Sequence, residues 1–199
     1  MPHAPVFVHT YEDYLQQIGR LDLTAVRDRL GFHLDGGQAV IPLLGRLFRV
    51  SAEGIRDAQD RKPNLAVCVI LAKYLLMCPG QVPAPGPLAT FKDFKDAAPL
   101  IGYFADTVEG TLARRFTGRL GALETACRKL GGERHDADWA YQLKLRLPAL
   151  PKVPLFLLFN DAEEGFPAQC IILFEDAVQY YLDMESVAML GSVLVRFLD

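Results

Sequence analysis

The sequence from Leu147 to Leu190 reads LPALPKVPLFLLFNDAEEGFPAQCIILFEDAVQYYLDMESVAML. Two apolar runs, Val153–Phe159 and Ala168–Phe174, lie on either side of a short acidic segment. Apolar runs of this length, bounded by turn residues, are typical of strands that are covered on both faces. The polar residues between them predict a hairpin loop at Asn160–Pro167, and the residues after the second run predict a helix. The stretch therefore predicts a strand–hairpin–strand–helix unit.

The residues just before this unit predict a third strand. From Trp139 to Leu147 apolar and polar side chains alternate, which is typical of a strand with one packed face and one solvated face. The three strands are expected to be neighbours in an antiparallel sheet. Further upstream, tight turns at Gly36-Gly37 and at Gly45 separate short predicted strands in FHLD, QAVIPLL and RLFRVS. Pro42 has no N–H to donate, so we expect its strand to be an edge strand, or Pro42 to mark a bulge.

Helices are predicted from apolar spacing and from capping residues. The segment Leu65–Met77, with Asn64 as its N-cap, is apolar nearly all round, so we expect it to be the most buried helix. The alternative is a buried strand, but the length and the alanine and leucine content favour a helix. One long helix is predicted along an apolar stripe from Val108 to Leu130, ended by Gly131-Gly132. Two further motifs, Thr90-x-x-Asp93 and Asp176-x-x-Gln179, are interpreted as capping boxes. The remaining predicted helices are Tyr11–Arg20, Leu23–Leu30 with Asp22 as N-cap, and Ser186–Leu198.

These elements predict one α+β domain over residues 1–199, with a mostly antiparallel sheet of about five or six strands and helices packed on it. The segment Pro79–Pro87 holds four prolines and two glycines in PGQVPAPGP, which excludes a helix or a central strand. It is interpreted as a connector. The alternatives are an internal subdivision near residues 79–90 and a stiff loop over a site.

Composition excludes several classes of protein. Hydrophobic residues make up 51% of the chain and the formal net charge is −3, so disorder is excluded and neither a nucleic-acid nor a membrane partner is indicated. The N-terminus lacks the features of a secretory signal, and no apolar run of about 20 residues predicts a membrane span. We expect a cytoplasmic protein. The cysteines form no CxxC pair, are interpreted as small buried hydrophobic residues, and predict no metal site: Cys68, Cys78, Cys127 and Cys170.

No established catalytic motif is present, because the sequence has no GxSxG, GxxxxGK[ST], HExxH or GxGxxG pattern. A cationic sheet face is one group with potential chemistry. Gln142, Lys144 and Arg146 point to the wet side of the predicted strand, where they would bind a carboxylate or phosphate if they converged on a pocket. The alternative is that these charges serve solubility alone.

Two further groups contain carboxylates. The loop His135–Asp138 brings a histidine and two aspartates together, which suits acid–base chemistry or cation binding, although a polar loop after a helix would carry the same residues. In the hairpin loop, Asp161, Glu163 and Glu164 suit proton sharing if they are enclosed, and are inert at an exposed turn.

A ligand site is predicted where the Pro79–Pro87 segment, the His135–Asp138 loop and the strand ends approach each other. A rigid scaffold commonly carries binding residues on its loops, and prolines lower the entropic cost of ordering a wall. The candidate ligand-binding residues are His135, Asp138, Trp139, Glu163 and Glu164, with Trp139 as an apolar platform.

The order of several segments resembles a known family. PGPLATFKDFKDAAPLIGYF is followed by a helix ending in LGG, by an aspartate before a strand, and by LPxxPLFLLFNDAEEGFPAQCIILFEDAVQYYLDME. This pattern resembles a bacterial and archaeal family known as a domain of unknown function and found mostly in anaerobes. The matching residues are Phe91, Gly131, Gly132, Pro148, Pro154, Glu163, Glu164, Pro167, Phe174, Tyr181, Leu182 and Glu185.

Some members of that family carry an additional iron–sulfur domain like that of corrinoid iron–sulfur proteins. The present sequence has no CxxC cluster for such a domain. The resemblance implies a link to anaerobic one-carbon or corrinoid metabolism, and it implies no particular activity.

Two functional hypotheses follow. The first is a non-enzymatic binding module for a small anionic or cofactor-like ligand, or for a redox partner. The alternative is a small enzyme in which Asp138 acts with Glu163 or Glu164 as acid–base groups, and a structural role is a third reading. A closed pocket that contains Asp138 and both glutamates would favour the enzyme.

Overall fold

The computed structural model describes residues 5–199, with side chains from residue 9 onward. It contains two antiparallel sheets and a set of helices around a common hydrophobic core, so the predicted α+β class is confirmed. The strands of the described residues form a sheet of four and a sheet of five, where one sheet of about five or six was predicted. Residues 1–4, part of the segment in which the sequence predicts no secretory signal, lie outside the described residues.

The first sheet is a meander. Its strands are hydrogen-bonded in chain order: β1 (His33–Asp35), β2 (Gln38–Leu43), β3 (Arg46–Ser51) and β4 (Gly54–Asp57). The β2–β3 turn has two residues, Leu44 and Gly45, both at positive φ, which matches the twist of a two-residue hairpin. Strand β2 is hydrogen-bonded on both sides and has no bulge, so the prediction for Pro42 is wrong. Pro42 pairs with Leu47 of β3 beyond the end of β1, where no residue of β1 needs its N–H. Strand β4 was not predicted.

The second sheet has the order β5-β9-β8-β7-β6. Its strands are β5 (Leu88–Thr90), β6 (Glu133–Arg134), β7 (Leu143–Leu150), β8 (Val153–Asn160) and β9 (Gln169–Glu175). The predicted antiparallel neighbours β7, β8 and β9 are confirmed, with the hairpin loop between β8 and β9. Strand β7 begins at Leu143 instead of Trp139. The backbone N–H of Tyr141 donates to the carbonyl oxygen of Trp139, which turns residues 139–142 away from the ladder.

The helices flank both sheets. They are α1 (Pro5–Ile18), α2 (Leu23–Leu30), α3 (Leu65–Leu76), α4 (Ile101–Phe104), α5 (Gly110–Phe116), α6 (Leu120–Lys129) and α7 (Met184–Phe197). The predicted cap of α3 is confirmed, since Asn64 Oδ1 accepts a hydrogen bond from the N–H of Val67 at 3.1 Å. Its predicted burial is confirmed too, because Leu71 and Leu75 are 0% exposed. Lys73, the one charged residue of α3, forms a salt bridge with Asp183, with 2.9 Å between Nζ and Oδ2.

The long helix predicted from Val108 to Leu130 is wrong as a single element. Helix α4 continues through a π-helical turn, Ala105–Glu109, into α5, and α6 starts only after a break. Gly118 in the break has φ +70°, and its N–H donates to Asp161 Oδ1 at 2.7 Å. The β8–β9 hairpin loop therefore stabilises the break between α5 and α6, which the spacing of apolar residues does not predict.

The two predicted capping boxes differ in outcome. The N–H of Thr90 donates to Asp93 Oδ2 at 2.9 Å, so the first box exists, although it begins a 3-10 helix. At the second, Gln179 donates to the carbonyl oxygen of Asp176 and does not reach the first N–H groups of the segment, a 3-10 helix without a side-chain cap. Helix α7 begins later, after the N-cap Asp183.

The second sheet has an inner and an outer face. The inner face lies in the common core, and its fully or almost fully buried members are Leu143, Leu145, Leu147, Leu155, Leu157, Phe159, Cys170, Ile172 and Phe174. The outer face carries Lys144, Arg146 and Gln169 together with Phe156 of β8, which is only 5% exposed. A chain segment outside the sheet must therefore cover Phe156.

No helix among residues 5–199 is long and apolar enough to cross a bilayer.

Candidate functional site

The segment between β6 and β7, residues 135–142, is anchored where it leaves β6. Arg134 pairs with Glu124 of α6 at 2.6 Å. Hydrogen bonds from Arg134, and from a second arginine on α6, lower the pKa of Glu124 to about 2. The carboxylate therefore stays ionised near neutral pH and holds the strand against the helix.

Lys144 of β7 orders the rest of the segment. Its Nζ donates to the carbonyl oxygens of Ala137 at 2.9 Å and Trp139 at 3.3 Å. The N–H of His135 donates to the carbonyl oxygen of Lys144 at 3.0 Å. The ammonium group therefore holds the loop, instead of providing a free charge on the cationic face considered from the sequence.

Three rings meet where this segment crosses the outer face. The ring of His135 lies 5.1 Å from that of Trp139 and 5.0 Å from that of Phe156, measured between centroids. Trp139 and Phe156 meet edge to face at 6.3 Å. These are ordinary distances for stabilising aromatic pairs. Trp139 stays half-buried, so one part of the indole packs on the sheet and another part faces solvent.

The β8–β9 hairpin loop contains a second, tighter turn. Glu163 and Phe166 exchange two backbone hydrogen bonds, at 3.0 and 2.9 Å. Gly165 between them has φ +85°, a value that a type II turn requires at its third residue and that glycine adopts without strain. The turn presents Phe166 with 72% of its surface exposed, the largest exposure of any bulky apolar side chain in the described part of the chain.

A polar network joins the two loops. Gln142 donates from Nε2 to Glu163 Oε1 at 2.9 Å, and its Oε1 accepts from the N–H of Asp161 at 2.8 Å. The N–H of Gln142 donates to Asn160 Oδ1 at 2.9 Å. Asp161 Oδ1 accepts from the N–H groups of Gly118 and Ala162. The carboxylates of Glu163 and Asp161 therefore already hold loop structure.

Between the two loops lies a surface cleft of about 520 Å³. Its lining combines aromatic, amide and acidic side chains with small residues: Trp139, Ala140, Tyr141, Gln142, Asn160, Asp161, Glu163, Phe166, Pro167 and Gln169. The lining includes no lysine, arginine or histidine. Aromatic surface with a few polar groups is typical of a small-molecule site, and the absence of cations in the lining disfavours an anionic ligand.

The structure brings some of the predicted site residues together. Trp139 and Glu163 line the cleft, and His135 packs behind Trp139. Asp138 and Glu164 are exposed and do not line the cleft. The carboxylates considered for acid–base chemistry are therefore not enclosed in one pocket. In residues 5–199 no group of three or more His, Cys, Asp or Glu side chains is arranged to hold a metal ion.

The Pro79–Pro87 segment does not approach the cleft, and this part of the site prediction is wrong. It leads into β5, whose first residue, Leu88, pairs with Glu175 at the end of β9. The cleft lies at the opposite end of the same strand, beside Gln169. The Pro79–Pro87 segment and the cleft therefore lie at opposite ends of β9, because β5 pairs with the last residues of this strand.

Sequence reasoning missed several residues of the cleft. Asn160 and Gln169 lie at strand ends, where polar side chains are ordinary, and Tyr141 lies in the segment before β7 that was predicted to be part of the strand. Phe166 carried a usable signal, because a phenylalanine in an otherwise polar hairpin loop has no core to enter.

The fold and the cleft define the class of protein: an α+β domain with two antiparallel sheets and a polar cleft with exposed aromatic groups at one end of the larger sheet. A family model described as Domain of unknown function (DUF3786) matches residues 22–197. The chain belongs to this family, in agreement with the resemblance found in the sequence to a family of unknown function. A search of curated proteins and a search of solved structures each gave no match.

Proposed function

We propose that this protein is a non-enzymatic binding module that holds a cofactor-like ligand with a flat, polar ring in the cleft. The observation that carries the proposal is the lining, in which a half-buried Trp139 and a largely exposed Phe166 share one cleft with amide side chains. Exposed aromatic faces stack on flat rings, and amides both donate and accept hydrogen bonds.

The charge of the cleft refines the ligand. Two carboxylates and no cation line it, which favours an uncharged or cationic ring over the anionic ligand that the sequence also allowed. Both carboxylates accept hydrogen bonds from the loops, so they would contribute to the shape and potential of the site.

Binding is favoured over catalysis because no pair of free carboxylates faces the cleft. Asp138 and Glu164 lie outside its lining, and Glu163 is held by Gln142. Of the sequence candidates we propose Trp139 and Glu163 as direct ligand contacts and His135 as support for the indole. Asp138 and Glu164 would act at most at the rim.

The family resemblance guides the choice of ligands. Its anaerobic bacterial and archaeal setting, and the iron–sulfur domain carried by some relatives, motivate corrinoids as test ligands. They also motivate a redox protein that would dock on the exposed Phe166. We therefore include a corrinoid among the test ligands. The lining of the cleft supports a small ligand more directly than a redox protein.

Trp139 is the single tryptophan of the chain, so its fluorescence reports on the cleft. The intact protein is titrated separately with adenosine, riboflavin and cobalamin. We expect a saturable change in tryptophan emission with at least one of these ligands. Calorimetry with the same ligands separates binding from optical interference. Phe166→Ala should weaken binding about tenfold, roughly 1.4 kcal/mol, by loss of one stacking surface.

The matched control is Tyr180→Ala, since Tyr180 is 54% exposed and lies outside the cleft. It should leave affinity unchanged, and so should Asp138→Asn. The proposal is wrong if no ligand gives saturable binding, or if the Phe166 and Tyr180 variants behave alike. Turnover of a ligand that is lost in Asp138→Asn would favour the enzyme instead.

A further inference from the structure

A second groove, which shares no lining residue with the cleft, lies between the first sheet and the ends of α3 and α7. Its volume is about 540 Å³. The turn and start of β3, the segment after β4, the start of α3 and the end of α7 line it: Gly45, Arg46, Leu47, Phe48, Asp57, Ala58, Gln59, Arg61, Pro63, Asn64, Val67, Arg196 and Phe197. Three arginines and one carboxylate therefore share one groove.

The single carboxylate is already neutralised. Asp57 accepts hydrogen bonds from the N–H groups of Arg61 and Gln59, both at 2.9 Å, and pairs with the guanidinium of Arg61 at 3.0 Å. The backbone hydrogen bond from Arg61 is the main reason that the pKa of Asp57 is lowered. Arg61 and Asp57 thus cancel each other, and the net charge of the groove comes from the other two arginines.

Arg46 and Arg196 are exposed and form no ion pair with any carboxylate in the described part of the chain. The guanidinium carbon of Arg46 lies 3.7 Å from the ring centroid of Phe197. Stacking holds the guanidinium plane on the ring and leaves its edge N–H groups free to donate. A planar, oriented guanidinium of this kind is suited to two-pronged binding of an oxyanion.

The backbone before Arg46 is also fixed. Gly45 has φ +73°, and a Cβ at this position would lie 3.1 Å from backbone atoms of Leu130. A side chain here would crowd the backbone of Leu130 at a φ that favours glycine, so the turn packs closely on the end of α6 immediately before Arg46. The N-terminus of α3, a helix of 12 residues, adds its partial positive charge at Asn64.

The groove also has apolar surface. Leu47 is 51% exposed beside the arginines, and Phe197 and Val67 complete the wall. From this combination we propose that the groove binds a small phosphate ester, with the phosphate on Arg46 and Arg196 and the organic part against Leu47 and Phe197. The site is independent of the cleft at the end of the second sheet.

Phenyl phosphate, phenol and inorganic phosphate are the probes, measured by calorimetry on the intact protein. We expect phenyl phosphate to bind more tightly than inorganic phosphate, and phenol not to bind. Arg46→Gln and Arg196→Gln should each weaken phenyl phosphate binding at least tenfold, while Arg20→Gln, an exposed arginine outside the groove, changes nothing. Raising the salt concentration should weaken binding, as expected for exposed charges.

Several results would overturn the proposal: equal binding of phenol and phenyl phosphate, equal binding of inorganic and phenyl phosphate, or equal losses in the Arg20 and Arg46 variants. Thermal melts of all three variants identify any that fail to fold, and Arg196→Gln gives a second test at a helix end. Phe166→Ala should not affect phenyl phosphate binding, so this proposal and the ligand cleft succeed or fail separately.

Discussion

The side chain of Glu109 accepts a backbone hydrogen bond from β9 where no neighbouring strand is available to do so. It lies in the π-helical turn between α4 and α5, and its Oε1 accepts the N–H of Ile172 at 2.9 Å. Strand β5 pairs only with residues 173–175 of β9, so Ile172 lies beyond the end of its partner. The carboxylate satisfies a backbone donor that would otherwise be left at a buried edge.

The cost of this arrangement is a pH-dependent stability. Burial raises the pKa of Glu109, against the opposing effects of the Ile172 N–H and of Lys92. Because the folded-state pKa is raised, the contribution of Glu109 is complete below its unfolded value and is lost as pH rises through the folded value. Glu109→Gln keeps an acceptor oxygen without a charge. The stability of this variant relative to wild type should therefore rise as the pH increases from the ordinary glutamate pKa of 4.5 through the raised pKa of the folded protein.

Urea melts of both proteins across this pH range test the prediction. Glu164→Gln, at an exposed position of the hairpin loop, is the control and should show no such pH-dependent difference. A constant difference between Glu109→Gln and wild type at every pH would contradict the assignment.

At the scale of elements, α7 packs on the π-helical turn through a glycine. A Cβ added at Gly191 would lie 2.7 Å from Phe104 Cε2 and 3.0 Å from a methyl group of Val108. Phe104 cannot yield, because it is 1% exposed and stacks on Phe91 with centroids 4.4 Å apart. The close approach of these helices therefore depends on the missing side chain at one position.

Gly191→Ala should destabilise the protein by about 1–3 kcal/mol through overpacking, in spite of the better helix propensity of alanine. Gly121→Ala is the matched control in α6, since a Cβ there would meet no atom within 4 Å. It should be neutral or stabilise by up to about 1 kcal/mol. Chemical denaturation of the two variants decides, and equal effects would rule out the packing argument.

At the scale of the whole molecule, hydrogen bonds between residues far apart in the chain connect the two sheets and the helices around them. The N–H of Leu44, in the β2–β3 turn, donates to the carbonyl oxygen of Ala149 in β7 at 2.9 Å. Tyr74 of α3 donates its hydroxyl hydrogen to the carbonyl oxygen of Leu30 at 2.5 Å and accepts from the N–H of Lys152 at 3.1 Å. The Tyr74 hydroxyl therefore joins α2, α3 and the β7–β8 turn.

Tyr74→Phe removes both hydrogen bonds of the hydroxyl group and keeps the aromatic ring. It leaves two backbone groups without their partner, so we expect a loss of about 1–3 kcal/mol in the free energy of unfolding. Tyr180→Phe, with the ring 54% exposed, should change stability by less than about 0.5 kcal/mol. A Tyr74→Phe variant as stable as wild type would show that water replaces the hydroxyl at both groups.

Much of the fold could be predicted because its signals are local. Alternation and apolar runs gave β7 to β9, and Asn64 and Asp22 gave the starts of α3 and α2. The helix from Val108 failed because its break depends on a distant partner, Asp161, which binds the N–H of Gly118. The candidate site was half predicted, since Trp139 and Glu163 line the cleft while the proline-rich segment lies at the other end of the sheet.

The sequence by itself determined the α+β class, the central hairpin, the buried helix α3 and the residues with potential chemistry. These follow from the periodicity of apolar side chains and from capping and turn residues, which act over a few positions. Only the tertiary structure decided that the strands form two sheets, that Lys144 holds a loop, and that Arg46 and Arg196 meet in one groove. Such pairings depend on contacts between residues far apart in the chain, and no local pattern encodes which distant partner a side chain will meet.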